Sequence, residues 1–196
     1  MDSEMWDARY ADNELVWSRE PNMFLPPLVD GLSPGTALDL ACGEGRNAIW
    51  LAKQGWEVTG VDFSQVGVDK AKALSDGLDI EWLVGDATTF TSDAAFDLVV
   101  LFYLHLPGDE TQSAFASAVG ALKPGGTLFA VGHAVRNLTE GFSGPPIPEL
   151  LWSVDRMASL IEELDIVEVA ERERPVPQED AVAIDLVVHA TKPEAS

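Results

Sequence analysis

Residues 37–46, ALDLACGEGR, constrain the fold of this 196-residue chain more than any other stretch. Leu38 and Leu40 belong to an apolar run that is typical of a parallel strand covered on both faces. Gly43 and Gly45 follow directly, and glycine lets the backbone turn sharply beneath a ligand. A buried strand that ends in a glycine-rich turn is typical of sheets that bind a nucleotide-like cofactor.

Strand and helix patterns alternate after this turn. They predict a helix over 47–54, a strand ending at Asp62, a helix at about 65–75, strands over 80–84 and 96–101, a helix at about 109–122, a strand over 127–132 and a last helix at about 154–164. The segments 166–174 and 181–191 flank prolines and a polar turn, which predicts a β-hairpin. We therefore expect an α/β fold: a Rossmann-like, doubly wound sheet of seven strands, mostly parallel, with a C-terminal antiparallel β-hairpin.

The length of the chain favours one domain, residues 1–196. Within it we expect residues 1–30 to form a helical cap over the cofactor cleft and residues 36–133 to form the cofactor-binding core. Residues 139–148 contain two glycines and three prolines, which preclude a regular element and predict a surface loop near the cleft. Residues 154–191 hold the final helix and the hairpin.

Acidic residues dominate the charge of the chain, with 33 acidic and 12 basic residues and a formal net charge of −21. This charge repels phosphate backbones, so we expect no nucleic-acid partner. A surface adapted for solubility explains the acidity, and a cationic substrate or partner is the alternative. No metal-ligand pattern stands out, and the single cysteine, Cys42, is expected to pack in the turn. Without a long apolar run or a signal peptide, we expect no membrane contact and a cytoplasmic location.

The stretch 43–48 fits the GxGxxG/A dinucleotide fingerprint, and Asp62 follows about 20 residues later, where a carboxylate can accept bonds from ribose hydroxyls. Taken alone, this pattern supports a nicotinamide-dependent oxidoreductase equally well. However, a cluster of Asp39, Glu44 and Asp62 would repel a pyrophosphate and would suit a ligand that carries a sulfonium and an ammonium. Asp86 follows the third strand, where its carboxylate can bond to an adenine amino group.

Four motifs, in order and at consistent spacing, resemble the class I S-adenosylmethionine-dependent methyltransferases. ALDLACGEG is similar to their first motif, VTGVDFS to their second-strand acidic motif, GDATTF to their adenine-binding turn and LKPGGTL to the segment that enters their fifth strand. The resemblance covers about residues 38–132 and departs at Ala41, where many members have a glycine. CGEGRNA, together with Trp17 and the neighbours Pro21 and Asn22, resembles small bacterial methyltransferases of the tellurite-resistance and thiopurine-like group.

This resemblance implies S-adenosyl-L-methionine as the cofactor and S-adenosyl-L-homocysteine as the product. The implied cofactor-binding residues are Trp17, Asp39, Ala41, Gly43, Gly45, Arg46, Asp62, Phe63, Ser64, Asp86, Ala87, Leu101 and Phe102. Asp39 would help to hold the turn or the cofactor ammonium. Asp62 would bind the ribose diol, or else only cap the next helix. Asp86 would bond to the adenine amino group or serve only its own turn, and Arg46 would pair with the cofactor carboxylate or fix Glu44.

The aromatic and aliphatic members of this set have a packing alternative. Phe63 would flank the adenine or belong to the core. Leu101 and Phe102 would contact the cofactor and shape the cleft, or take part in ordinary sheet packing. Trp17 is expected at the cleft, whereas Trp6 is expected to pack within the cap.

No residue can be assigned as catalytic from the sequence. The candidates are Tyr103, His105 and His133, which fall near strand ends on the cleft side and would each orient an acceptor or take its proton. A structural role is the alternative for each. We expect direct in-line methyl transfer to a small-molecule acceptor by a monomer or homodimer. The alternatives are an NAD(P)-dependent oxidoreductase and a non-catalytic sensor that binds S-adenosylmethionine.

Overall fold

The alternating patterns fold into one seven-stranded sheet in the computed structural model, which describes residues 3–194. The strands are β1 (Thr36–Leu40), β2 (Glu57–Asp62), β3 (Ile80–Val84), β4 (Phe96–Phe102), β5 (Leu122–His133), β6 (Asp165–Val176) and β7 (Ala181–Thr191). The helices are α1 (Ser3–Ala11), α2 (Leu25–Val29), α3 (Arg46–Lys53), α4 (Gln65–Leu74), α5 (Gly108–Ala121), α6 (Asn137–Glu140) and α7 (Val154–Ser159). Two 3₁₀ turns cover Pro148–Leu150 and Pro177–Glu179.

The strands lie in the order β3-β2-β1-β4-β5-β7-β6. The first five pair in parallel, whereas β7 runs antiparallel to both β5 and β6. The predicted fold, a mostly parallel sheet with a C-terminal antiparallel hairpin, is confirmed. Because β1, β4 and β5 are parallel neighbours, their carboxyl ends meet at one side of the sheet, which we call the cleft edge.

Apolar side chains cover both faces of the sheet. One cluster packs the sheet against α5 and α7, and the other packs it against α2 and α3. Leu38 and Leu40 of β1 and Leu98 of β4 are fully buried, as the apolar run predicts for strands covered on both faces. Truncating such a leucine to alanine costs about 2–5 kcal/mol. This packing gives the cleft edge a rigid base.

The helices next to the cleft edge begin in different ways. Ser64 caps α4 because its hydroxyl accepts a bond from the amide of Gly67 at 3.0 Å. Helix α3 has no side-chain cap, and its N-terminal position is Gly45 in a left-handed conformation. Its first turn is held instead from the sheet, by Asp39 of β1, which accepts a bond from the amide of Ala48. The glycine turn is therefore fastened directly to the strand that precedes it.

Three sequence-based boundaries differ from the structure. The last helix ends at Ser159 and continues as turns to residue 164, and β5 begins at Leu122 because this residue already pairs with Phe96 of β4. The predicted loop 139–148 is irregular only in part, since α6 reaches Glu140 and a 3₁₀ turn begins at Pro148. The ends of the predicted domain, residues 1, 2, 195 and 196, lie outside the described residues. Within residues 3–194, no helix has both the length and the apolar character to cross a membrane.

Candidate active site

The turn between β1 and α3 places three residues in the left-handed conformation. The φ angle is 63° at Ala41, 56° at Gly43 and 79° at Gly45. A Cβ atom on Gly43 would lie 2.7 Å from the hydroxyl of Tyr10, and one on Gly45 would lie 2.4 Å from the ring of Trp82. Only glycine therefore fits at these two positions. Ala41 carries a left-handed strain of roughly 1–2 kcal/mol at the position where many members of the family that the sequence resembles have a glycine.

Two buried carboxylates flank this turn. Asp62 accepts bonds from the amides of Gly43 at 2.8 Å and Ser64 at 2.9 Å, and Asp39 accepts one from the amide of Ala48 at 3.0 Å. Burial raises the pKa of both carboxyl groups, and the nearby charge of Asp62 raises that of Asp39 further, to about 7. A cationic ligand between them would stabilise their charged forms and would gain binding free energy in return.

Glu44 does not join this pair, although the sequence places it in the same acidic cluster. Its carboxylate lies 3.2 Å from the ammonium of Lys70 and accepts bonds from the amides of Val16 at 3.0 Å and Trp17 at 3.1 Å. Among the described residues Arg46 forms no ion pair, and its guanidinium donates one bond, to the hydroxyl of Ser18 at 3.4 Å. The interpretation that Arg46 fixes Glu44 is therefore wrong, and Arg46 is left without a carboxylate partner within residues 3–194.

The segment after α1 covers the glycine turn. Lys70 donates a 2.6 Å bond to the carbonyl of Tyr10 and further bonds to the carbonyls of Asn13 and Glu14. The Tyr10 side chain is 3% exposed, whereas Trp17 is 36% exposed and holds its indole nitrogen 3.6 Å from where a Cβ of Gly43 would lie. The structure thus places Trp17 beside the glycine turn, and its contact with a cofactor stays a prediction.

Trp6 packs against the other aromatic rings of this segment. Its ring centroid lies 5.4 Å from that of Tyr10 and 6.3 Å from that of Trp17. The guanidinium of Arg9 lies 4.9 Å from the Trp6 ring centroid, and that of Arg46 lies 5.8 Å from the Trp17 centroid. A layer of aromatic rings and guanidinium groups therefore closes over the glycine turn.

The residues expected at the adenine have simple local environments. Phe63 follows β2 and is half-buried, and Ala87 is buried. The carboxylate of Asp86 is exposed and accepts bonds from the amide and the hydroxyl of Thr88, both at 2.8 Å. These bonds stabilise the turn that contains Asp86, and they account for the position of its carboxylate. A contact between Asp86 and adenine stays a prediction.

The end of β4 combines packing with strain. Leu101 is 1% exposed and Phe102 is 8% exposed, and each packs in one of the two core clusters. Sheet packing accounts for both, so their contact with a cofactor stays a prediction. Tyr103 follows with a φ of 56°, and its amide donates a 2.6 Å bond to the carbonyl of Val131 in β5. A left-handed tyrosine is strained, and such strain is concentrated at functional sites.

Tyr103 and His133 converge on one buried carboxylate, Asp185 of β7. Asp185 is 0% exposed and accepts bonds from the Tyr103 hydroxyl at 2.7 Å and from Arg174 Nε at 2.6 Å. His133 Nδ1 lies 2.9 Å from its other oxygen, Oδ1, but the two atoms are not aligned as a hydrogen bond, and neither has a hydrogen-bond partner among the described residues. Burial alone would raise the pKa of Asp185, but the neighbouring side chains of His133, Arg174 and Tyr103 outweigh it and hold the pKa below its usual value. The carboxylate is therefore ionised at neutral pH.

His105 stacks on His133, with ring centroids 5.3 Å apart and planes 8° apart. Its Nδ1 lies 3.0 Å from the carbonyl of Leu150. Burial, together with the neighbouring His133, lowers the pKa of His105 to about 4, so this imidazole is neutral at neutral pH. Its Nε2 and the indole nitrogen of Trp152 are buried without a hydrogen-bond partner among the described residues. The structure thus brings all three catalytic candidates, Tyr103, His105 and His133, together at the cleft edge.

Sequence reasoning missed Tyr10, Lys70, Arg174 and Asp185. Asp185 had a usable signal, because it is the single acidic residue in the otherwise apolar segment AVAIDLVV. In the sheet it pairs in register with His133. The other three had no such signal, since their partners lie far away in the chain. Across residues 3–194, no three His, Cys, Asp or Glu side chains are grouped so that they would hold a metal ion.

Residues 37–126 match the sequence model of a methyltransferase domain family. The chain is 37% identical to YqeM of Bacillus subtilis, which is named as a methyltransferase, over 55% of this chain and 46% of that protein. It is 38% identical to the ubiquinone biosynthesis O-methyltransferase of Coxiella burnetii over 47% of this chain and 41% of that protein. The chain therefore spans less than half the length of these curated relatives.

The fold is also similar to solved structures. One, which concerns the conversion of a disulfide bond into a thioacetal group during echinomycin biosynthesis, gives a TM-score of 0.80 at 24% identity and covers 99% of this chain and 93% of that chain. The N-methyltransferase NodS from Bradyrhizobium japonicum, in complex with S-adenosylhomocysteine, gives 0.77 at 19% identity and covers 99% and 100%. TehB from Haemophilus influenzae gives 0.74 at 16% identity and covers 97% and 66%. At these identities the likeness establishes the fold.

Proposed function

We propose that this chain, whose residues 37–126 match the model of a methyltransferase domain family, is a class I S-adenosylmethionine-dependent methyltransferase and transfers a methyl group to a small-molecule acceptor by direct in-line displacement. The observation that carries the proposal is the pair of buried carboxylates, Asp39 and Asp62, on either side of the glycine turn. The raised pKa of both favours a ligand with cationic groups over a pyrophosphate. S-adenosylmethionine carries a sulfonium and an ammonium and so suits this charge.

The residues at the cleft edge divide the binding of this cofactor between them. The backbone of the turn at Gly43 and Gly45 accepts the methionine part, with Asp39 near its ammonium. Asp62 binds the ribose diol through the lone pairs that the two amides leave free. Arg46 receives the cofactor carboxylate, because it pairs with no carboxylate of residues 3–194. Phe63 and Ala87 flank the adenine.

The bound cofactor supplies an activated methyl group on a sulfonium. The chain supplies position and a dry environment, because the cap that carries Tyr10 and Trp17 lies directly over the turn. Holding two reactants in line removes several kcal/mol of the barrier without a covalent intermediate. The acceptor would approach from the β5 side. Tyr103 follows β4, one strand spacing or roughly 5 Å from β1, and His133 ends β5, two strand spacings or roughly 10 Å from β1.

We infer a small-molecule acceptor for two reasons. The net charge of −21 repels nucleic acid, and the acceptor side of the cleft is built from half-buried and buried polar groups rather than from an open surface. A relative named as an O-methyltransferase of ubiquinone biosynthesis supports the same class. The single cysteine, which is buried and unpaired, is consistent with the reducing cytoplasm, where we place a monomeric or homodimeric enzyme.

Isothermal titration with S-adenosylhomocysteine tests the proposal. We expect binding in the micromolar range, and we expect Asp62→Asn to weaken it by roughly 10- to 100-fold through the loss of charged bonds. Asp97→Asn is the matched control, since Asp97 lies at the opposite end of β4. Binding of a nicotinamide dinucleotide in place of S-adenosylhomocysteine would overturn the proposal. Binding without cofactor consumption across a broad acceptor panel would identify a sensor instead of an enzyme.

A further inference from the structure

We propose that Arg174 binds a carboxylate group of the methyl acceptor, and that Asp185 and Tyr103 are the positioning residues that hold its guanidinium at the cleft edge. This inference rests on the proposed function and deepens it, because it names a charged group that the acceptor carries. The contacts of Arg174 and the charges around it support the inference.

Arg174 belongs to the cleft edge, although it lies on the outermost strand. Strand β7 is antiparallel to both β5 and β6, so β6 runs in the same direction as β5 and ends at the same edge. Arg174 lies close to the end of β6. From there its side chain reaches back across the sheet, and its guanidinium carbon lies 5.7 Å from the ring centroid of Tyr103, which follows β4. The guanidinium is therefore on the side of the cleft from which the acceptor approaches.

One nitrogen of Arg174 fixes the guanidinium, and the terminal nitrogens stay available. Its Nε donates a 2.6 Å bond to the buried Asp185 Oδ2, the same oxygen that accepts the Tyr103 hydroxyl at 2.7 Å. Within residues 3–194, neither terminal nitrogen of Arg174 donates to a carboxylate or a carbonyl. The side chain is 23% exposed, so a ligand can reach these nitrogens. The N–H groups of a guanidinium form a planar fork, which matches the oxygens of a carboxylate.

A surface ion pair on the same strand has a different form. Arg172 directs both Nε and Nη2 to Glu168 Oε1, at 2.9 and 2.6 Å, and 55% of its side chain is exposed. Arg174 instead uses only Nε, and the carboxylate that receives this bond, Asp185, is 0% exposed. Burying a carboxylate costs hydration free energy, and an apolar residue would often serve stability as well. That cost is explained if Asp185 fixes the direction in which the guanidinium points.

A second guanidinium, that of Arg46, acts on the same space. Burial lowers the pKa of Arg46 below its usual value, and the positive charge of Arg174 acts in the same direction, so the two groups lie within electrostatic range. In the proposed function Arg46 receives the carboxylate of the cofactor. A carboxylate on the acceptor would supply a second anion and would reduce the repulsion between the two cations. A singly charged carboxylate also suits a chain of net charge −21 better than a doubly charged phosphate, which the protein would repel more strongly.

Nitrogen-15 NMR of the arginine side chains, in the protein loaded with S-adenosylhomocysteine, tests the site without a known acceptor. The probes are benzoate and its neutral counterpart benzamide, and the signals of Arg174 are assigned by their loss in Arg174→Lys or Arg174→Gln. We expect benzoate to shift the Arg174 signals to saturation and benzamide to leave them in place. Arg172→Gln, which removes a charge from the same strand, is the matched control and should keep this response. No shift with benzoate, or equal shifts with both probes, would overturn the inference.

Kinetics separate a role toward the acceptor from a role toward the cofactor. On matched hydroxyl, amine and thiol acceptors, each offered as a free acid and as its primary amide, we expect kcat/KM to favour the acid by about 10- to 100-fold. Arg174→Gln should abolish this preference, and Arg174→Lys should keep part of it, since lysine retains the charge but not the planar fork. Amides that are methylated as efficiently as the acids would contradict the inference.

Isothermal titration with S-adenosylhomocysteine completes the test. We expect Arg174→Gln to bind this product with wild-type affinity, because Arg174 is assigned to the acceptor. A loss of about 10-fold or more in this affinity would assign Arg174 to the cofactor and would overturn the inference. Failure of the wild-type protein to bind S-adenosylhomocysteine would instead refute the proposed function, so the two failures are distinguishable.

Discussion

Replacing Asp39 by asparagine should make the protein relatively more stable as the pH rises. Asp39 is 1% exposed, and burial followed by the charge of Asp62 raises its pKa to about 7 from an ordinary value of 3.8. Between these two values the unfolded chain holds a charged Asp39 while the folded protein holds a neutral one. The unfolded state therefore binds fewer protons, and the free energy of unfolding falls with increasing pH until the folded group has also ionised.

The size of this effect follows from the shift. Each pKa unit corresponds to about 1.36 kcal/mol, so raising the pH from 5 through the folded pKa to 8 removes roughly 3 kcal/mol from the wild-type protein. The asparagine of the Asp39→Asn variant cannot ionise and escapes this loss, although it still offers an oxygen to the amide of Ala48. Its unpaired amide hydrogens add a penalty, but that penalty is the same at every pH. The pH dependence of the difference, rather than its absolute size, is therefore the quantity to measure.

Urea unfolding followed by tryptophan fluorescence at pH 5, 6.5 and 8 measures this difference. These values stay above the sequence isoelectric point of about 4.2, where the acidic chain would lose solubility. Asp97→Asn is the control: although slight burial acts to raise the pKa of Asp97, bonds from Thr36 and Lys123 hold it below the usual value of 3.8, so Asp97 is ionised in the folded and unfolded states at all three pH values. This variant should therefore lose the same stability at pH 5, 6.5 and 8. A wild-type minus Asp39→Asn difference that is constant from pH 5 to 8 would refute the reasoning.

Three further predictions concern the turn and its cap. Ala41→Gly should raise the melting temperature, because the relief of roughly 1–2 kcal/mol of left-handed strain exceeds the entropy cost of glycine. A lower melting temperature in differential scanning calorimetry would contradict this. Lys70→Ala should increase amide hydrogen exchange over residues 10–17 and weaken S-adenosylhomocysteine binding about 10-fold, whereas exposed Lys72→Ala should change neither. Binding of S-adenosylmethionine at pH 7 should release up to about half a proton, because Asp39 with a pKa of about 7 is half protonated at that pH and the cation lowers its pKa; titrations in buffers of different ionisation enthalpy would detect the release, and its persistence in Asp39→Asn would exclude Asp39 as the source.

The fold was predictable because its signals are local. The apolar run around Leu38 and the alternation of strand and helix patterns predict a parallel sheet, and the prolines after β6 predict the hairpin. The errors fall at element ends. The apolar residues from Leu160 to Leu164 continue a helical pattern, but turns replace the helix there as the chain enters β6. Local pattern does not encode where tertiary packing requires that turn.

The site residues were predictable only where their positions follow from residues that are close in the sequence. Gly43 and Gly45 follow from turn chemistry, and Asp62 follows from its place at a strand end. The hydrogen-bond partners of the buried charged groups do not follow from neighbouring residues in the sequence. Glu44 meets the amides of residues 27 and 28 positions away, and Asp185 meets a hydroxyl 82 positions away. No pattern in a single sequence selects one such partner among many acids and bases, and for that reason the sequence left two alternatives open for Arg46.

The family match covers the cofactor half of the site and not the half around Asp185. The family match ends at residue 126, so it includes the glycine turn, Asp62 and Asp86 but stops before His133, Arg174 and Asp185. A shared cofactor requires shared chemistry at the turn, whereas acceptors differ among methyltransferases. The residues that would select the acceptor here lie on β5, β6 and β7, beyond that match. The buried Asp185 network is therefore the part of this protein in which its individual specificity should be sought.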